Sequence, residues 1–479
     1  MKDNEYINKV IKEFITPDED KETNSALSAP RATRKNCYNR QDVLQALSKL
    51  QLSYKAQYVA GRKVNINTDD FKRALLNSMA KISNSTVPKT VNQIDGRTID
   101  FVEMIFGAFL RDHNISDCIK TLLLRLQIPV IKTALLDNKF FYEPKHVARS
   151  VLDTIAHLGI GIDHPENTVY QTMGLIIDQL LNNFDQNIAS FQNTLSSLSR
   201  LRKIENEKQA VNEKQTRREI LKEHARQMVL TELQYHVKGK QLPKAIQPLI
   251  LKHWSSVMFR RFLKHGDNSA EWHEAINILK VLIKTTQPPQ TMEDWLALKT
   301  YHETLVDTIA ELLKESGQSK EHTFTASRAL NMTYKKVLAD SPFAEAGEKN
   351  YAELVESMAD SSALNSMQNL QQRSNQPSAV EIKRQIAAKK IESLPDSVKP
   401  GVWFEIHNGD GPVRRLKLSV IIRETAQLVF VDRIGKKVIE KDAIAFAEEI
   451  ANNQSRILAD HSIFDHALGQ VISSLAANS

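Results

Sequence analysis

Cysteine is almost missing from this chain: Cys37 and Cys118 are the two in 479 residues. A pair so far apart argues against a disulfide framework or a cysteine-built zinc site, and suits a reducing, cytoplasmic setting. Glycine and proline are scarce too, 15 of each, where ordinary usage is roughly 7% and 5%. So few breakers favour long helices. No stretch approaches about 18 uninterrupted apolar residues, so no membrane span is expected. The opening "MKDNEYINKVIKEF" is charged throughout and lacks the apolar core of a signal peptide.

Motifs that name a reaction are missing as well. His273-Glu274 and His302-Glu303 each begin an HExxH string and neither completes it. There is no GxxxxGK[ST] loop and no GxSxG elbow. "GIGIDH", from 159, lacks both the third glycine and the preceding strand of a dinucleotide fingerprint. The 14 histidines are scattered. The expectation is therefore a protein that is not an enzyme, with no catalytic residue, metal or cofactor assigned.

What is present is a composition able to bury cores, 41% hydrophobic and 25% charged, with a mild net charge of +7. Residues 1–40 are polar and end in "PRATRKNCYNR", which reads as a mobile tail. A helical body is expected over 41–350. Val43, Leu44, Leu47 and Leu50 share a helix face; 53–66 reads as a loop; helices follow over 69–82 and 97–112. "RLQIPVIKTALLDNKFF", 125–141, is apolar on both sides of Pro129. A proline there costs the helix a hydrogen bond, so the stretch reads as a kinked joint between buried helices, with Leu126 and Ile131 inside. Gly159 and Gly161 are placed at a helix end.

One or two long helices span 168 to about 237. Phe184, Ile188, Phe191, Leu195 and Leu198 alternate spacings of four and three, the rhythm of a packed seam. Residues 200–240 then carry eleven Lys or Arg against six Asp or Glu. This reads as an exposed, ion-paired helix; the lack of interleaved aromatics argues against nucleic-acid binding, the third functional alternative. Aromatics between 254 and 282 are spaced as core. A Ser-, Gln- and Asn-rich polar linker is expected over 351–395. Beyond it, "GVWFEIH", "VRRLKLSVII", "QLVFVDR" and "KKVIEKD" are short, alternating and β-branched, so 396–479 reads as a small β-barrel with terminal helices.

The string from "IDGRTIDFVEMIFGAFLRD" through "YEPKHVARSVLD" resembles the signature region of DUF1631, a proteobacterial family of unknown function. The likeness continues in "MFRRFLKHGDNSAEWHEAINILKVLIKTTQP" and "LKLSVIIRETAQLVFVDRIGKKV". The C-terminal part resembles a PilZ-like barrel, a fold that senses cyclic di-GMP through Arg-x-x-x-Arg and Asp/Asn-x-Ser-x-x-Gly. Here no two arginines lie four apart. The nearest second string is "DHSIFD", with Asp460 and Ser462 but Asp465 in place of glycine.

The fold expected is thus mainly α with a C-terminal PilZ-like barrel. The function expected is a regulatory or scaffold protein that binds protein partners. A receptor for cyclic di-GMP or another nucleotide is the alternative. Arg414, Arg415, Lys417, Arg423, Arg433, Lys436 and Lys437 form the candidate patch for an acidic partner surface or phosphate. Arg415 and Lys417, two apart on a strand, should project together while Leu416 and Leu418 turn to the core.

Overall fold

The computed structural model describes residues 2–16, 37–59, 68–83, 89–184, 188–357, 379–407, 413–458 and 462–477. Among the described residues nine helices build a first body: α1 (Lys2–Ile15), α2 (Arg40–Val59), α3 (Thr68–Ser83), α4 (Gln93–Arg111), α5 (Asp117–Leu124), α6 (Gln127–Leu136), α7 (Lys139–Tyr142), α8 (Val147–Gly159) and α9 (Thr168–Asn183). Two-residue strands β1 (Cys37–Tyr38) and β2 (Thr90–Val91) pair in parallel between them. The sequence reading needs correction at two places. The segment expected to be a mobile tail contains α1, whose Ile11 and Ile15 are buried in the first core; residues 17–36 lie outside the described residues. The expected loop over 53–66 is helix as far as Val59, and 60–66 lie outside the described residues.

Leu126 and Ile131 are both fully buried, as the apolar pattern requires. The break, however, falls at Arg125–Leu126, between α5 and α6. Pro129 is the third residue of α6. In the first turn of a helix the amide N–H groups have no carbonyl to meet, so the proline loses no bond there. The same helix carries Lys132 into the core with no exposure. Its ammonium donates to Ser48 Oγ at 3.0 Å and stands 5.0 Å from the centre of the Phe184 ring.

A 49-residue helix, α10 (Ala189–Val237), leaves this body. At about 1.5 Å per residue it is roughly 70 Å long. The expected seam is buried at Phe184, Phe191 and Leu198, but Phe184 caps α9 and Ile188 caps α10, so the heptad rhythm runs across a corner. Phe184 and Phe191 meet edge to face there, with centroids 5.2 Å apart. The two ends of α10 enter helical cores, Phe191 and Leu198 in the first and Ala225, Met228, Val229 and Leu233 in a second, while between them Ile220 is buried in a separate small contact. The second body adds a π-helical turn at Leu249–Trp254, then α11 (Ser255–His265), α12 (Ala270–Thr285), α13 (Met292–Glu315), α14 (Lys320–Ala339) and α15 (Ala344–Ser357). Trp254, Trp272 and Trp295 are sealed in its core.

Part of the expected linker is also structured. Residues 358–378 lie outside the described residues, but α16 (Ala379–Glu392) places Val380 in the second core and Ala387 in a third. That third core belongs to a sheet of β3 (Trp403–Ile406), β4 (Arg414–Ile422), β5 (Gln427–Val431), β6 (Lys437–Asp442) and β7 (Ser455–Ile457), antiparallel throughout in the order β6-β5-β4-β3-β7. The expected barrel is not formed: no ladder joins β6 to β7 among the described residues. Helix α17 (Ala443–Ala451) lies between these edge strands, and Phe446 packs on Phe404 and Phe430, so side chains rather than hydrogen bonds cover the open end.

The chain then returns. Helix α18 (Ile463–Ala477) buries Phe464, Leu468, Val471 and Ile472 in the first core instead of on the sheet. Asp153 of α8 accepts from Ser462 Oγ at 2.9 Å and from the Phe464 amide at 3.1 Å, which caps α18. Arg149 pairs with Asp465 and lies over the Phe464 ring. The β module is therefore held at both ends, by α16 from the second body and by α18 on the first.

Leu126→Ala should destabilise the first body by about 2–5 kcal/mol, since a large apolar side chain leaves a sealed cavity. Urea unfolding followed by circular dichroism measures this; a loss well under ~1 kcal/mol would mean that Leu126 is not part of a packed joint.

Candidate functional site

The sheet turns one face to its own core and the other to the exposed middle of α10. Alternation sets this. Phe404 and Ile406 on β3, with Leu416 and Leu418 on β4, are buried in the module. Trp403 and Glu405, with Arg415 and Lys417, take the opposite face, where Trp403 stands across from Lys417 and Glu405 from Arg415. A β-bulge at Ser419 then shifts the register between Leu418 and Val420. Ser419 follows Lys417 to the helix side by alternation, and the extra residue swings Val420 and Ile422 to that side as well. Val420, Ile422 and Val429 close a small apolar contact with Ile220 of α10.

Around that contact the docking is polar. Glu213 accepts from Lys417 Nζ at 2.9 Å and from Ser419 Oγ at 3.1 Å. Asn212 donates to the Ile434 carbonyl at 2.8 Å, and Thr216 to the Gly435 carbonyl at 2.7 Å. The β5–β6 turn comes so close that a Cβ on Gly435 would stand 2.7 Å from the Glu213 amide nitrogen and 3.0 Å from the Gln209 carbonyl. Its φ of 83° also favours glycine. At the far end His224 Nε2 lies 3.2 Å from Glu424. Burial pushes the Glu424 carboxyl up, but His224 and a backbone N–H outweigh it and hold the group below its ordinary range. On the other flank, Arg415 bridges Asp163 at 2.6 Å and Glu405 at 3.1 Å, and donates to the His113 carbonyl.

The seven basic residues singled out in the sequence thus do not form one patch. Arg415 and Lys417 project together, but onto acidic groups of this same chain. Arg414, Arg423 and Lys436 are exposed, and Lys437 pairs with Glu440 at 2.6 Å. Arg433 turns into a cleft of about 310 Å³ between the end of α8, the middle of α10 and β3–β5. Burial lowers its pKa, with Glu205 acting the other way. The charged run of α10 reads correctly as an exposed helix with local pairs such as Lys208–Glu205 and Arg226–Glu223. What sequence reasoning missed is its second role as a platform: Asn212, Glu213 and Thr216 carry no pattern that separates them from their charged neighbours. Gly435 in the turn "RIGKK" was the one usable signal.

A second concavity, about 490 Å³ and mostly apolar, lies between α12 and α13 against Pro288 and Pro289. Among the described residues no group of three or more His, Cys, Asp or Glu is arranged to hold a metal ion, and no helix is long and apolar enough to cross a membrane.

Three sequence models of one family match the chain. The second domain of a protein of unknown function (DUF1631) matches residues 37–187, its third domain 213–331, and its C-terminal tudor domain 393–458. These spans follow the three cores. No curated protein and no solved structure matches the chain.

Two predictions test the docking. Gly435→Ala places a methyl group against backbone and forces a residue into a left-handed conformation, so it should weaken docking by about 1–3 kcal/mol. Faster hydrogen exchange in peptides covering 414–422 and 431–437 reads this out; exchange at the wild-type rate would refute the close approach. Glu424 has its folded pKa depressed, so its contribution is present above the ordinary value near 4.5 and is lost as pH falls through the folded value. The difference in Tm between wild type and Glu424→Gln should be largest near neutral pH and vanish toward pH ~3. A difference that stays constant over this range would refute the pairing.

Proposed function

This chain belongs to the DUF1631 family, and on that premise we propose that it is a non-enzymatic, cytoplasmic regulatory scaffold whose β module binds acidic protein surfaces. The observation that carries this reading is the engagement of Arg415 and Lys417 by Asp163, Glu405 and Glu213. A basic strand face that already accepts carboxylates from its own chain has the geometry to accept them from another. The apolar part of the docking surface is four side chains. Interfaces of this kind, small and polar, exchange more readily than obligate ones. A partner presenting carboxylates at similar spacing competes with α10, and the two helical bodies keep their cores throughout.

The second reading takes the module as PilZ-like and the protein as a receptor for cyclic di-GMP; Arg433 and Arg202 at the interdomain cleft favour it. One experiment separates the two. Tagged wild type, Glu213→Lys and the Arg415→Glu/Lys417→Glu double variant are used to capture partners from an extract of the native host, with folding confirmed by circular dichroism. The scaffold reading expects one set of acidic partners, enriched several-fold by Glu213→Lys and lost in the double variant. Equal capture by all three proteins would sink it. Saturable micromolar binding of labelled cyclic di-GMP, unchanged in the double variant, would favour the receptor instead.

A further inference from the structure

The interdomain cleft holds donors that meet no acceptor among the described residues. The Arg433 guanidinium lines it and, among the described residues, meets no carboxylate within ion-pair distance and has Nη1 shut off from solvent without an acceptor. Gln209, on the α10 wall, likewise has its Nε2 buried without an acceptor. Buried donors of this kind cost free energy unless something accepts from them, and an isolated cation costs more. Arg202 stands exposed at the rim. Glu205 lines the cleft and acts on Arg433 through space, but its paired contact is with Lys208 at 3.1 Å; Lys417 is met by Glu213 at 2.9 Å.

The rest of the lining is mixed: His157, Glu205, Asn206 and Lys417 line it beside an apolar wall. The Trp403 ring packs on Gly161, where an added Cβ would stand 3.2 Å from the ring and 3.4 Å from Arg433 Cβ. Leu158 and Leu458 continue this wall. At about 310 Å³ the space lies at the lower end of the range for small-ligand sites.

We infer that this cleft is a binding site for a small oxyanion-bearing molecule, a phosphomonoester or a carboxylate, held by Arg433 and Gln209 with its apolar part against Trp403. A planar guanidinium suits either oxyanion, because it offers two parallel N–H groups to two oxygens. The walls come from both α10 and the β module, so the bound anion would tie the module to the helix. The inference is independent of the scaffold reading: the site can bind whether or not a protein partner does.

The test uses the full chain. Three of its four tryptophans are sealed in the second core, and Trp403 alone is half-buried, so a change in tryptophan emission at the cleft comes from Trp403. Wild type is titrated with inorganic phosphate, guanosine monophosphate and succinate, by fluorescence and by calorimetry. The expected result is saturable binding of at least one of these, with a fluorescence response lost in Trp403→Phe. Arg433→Ala should weaken it at least tenfold with the far-ultraviolet spectrum unchanged. Phosphate or the nucleotide binding without succinate assigns the phosphomonoester; the converse assigns the carboxylate. Should Arg433→Ala fail to fold, Gln209→Leu and Arg202→Ala replace it, and at least one of them should bind several-fold more weakly. No saturable binding of any of the three probes, or wild-type affinity in the folded variants, overturns the site and leaves a water-filled cleft.

Discussion

Everything in this molecule hangs on one 49-residue helix that joins two bodies. Helix α10 is buried at both ends, in two separate cores, and its middle belongs to neither. A solvent-facing segment of that length holds together through local pairing and propensity, which explains the Lys-, Arg- and Glu-rich composition of residues 200–223. That same composition makes the middle a charged platform. Glu213 is satisfied by Lys417 and Ser419, and the β module takes its position from there.

The route of the chain makes so small a contact sufficient. Helix α16 leads out of the second core into the module, and α18 returns from it to the first core under the cap supplied by Asp153. With both ends held, the module's freedom is already restricted, and closing a restricted loop costs little further entropy. Four apolar side chains, a few hydrogen bonds and two flanking ion pairs can then fix its orientation. A module tethered in this way is also suited to opening without being lost, because the tethers survive when the docking contacts break.

Local physics was readable over much of the chain. The apolar spacing of 97–112 and 254–282, the burial of Leu126 and Ile131, and the alternation that sends Leu416 and Leu418 inward all follow from side-chain period against a core. Other readings failed where one local pattern fits two tertiary outcomes. Pro129 reads as a kink, but three residues inside a new helix it costs nothing. Phe184 to Leu198 keeps a heptad rhythm around a corner, because a rhythm of apolar residues does not report the bend between them. Four alternating strands suggest closure, yet whether two edges meet depends on what lies between them, and here Phe446 of α17 does.

The sequence by itself determined the helical character, the change to β structure after residue 400, and the family signature, because composition, period and turn chemistry act over a few residues. Only the tertiary structure decided which charges meet. Arg415 and Lys417 stand two apart in the chain, but besides Glu405 on the neighbouring strand their acidic partners lie about 250 and 200 positions away, on Asp163 and Glu213. Nothing in a run of similar charges marks the one carboxylate that will be faced by a strand. The same holds for Arg433 and Gln209, two donors that become a cleft only when the returning chain lays the sheet along the helix.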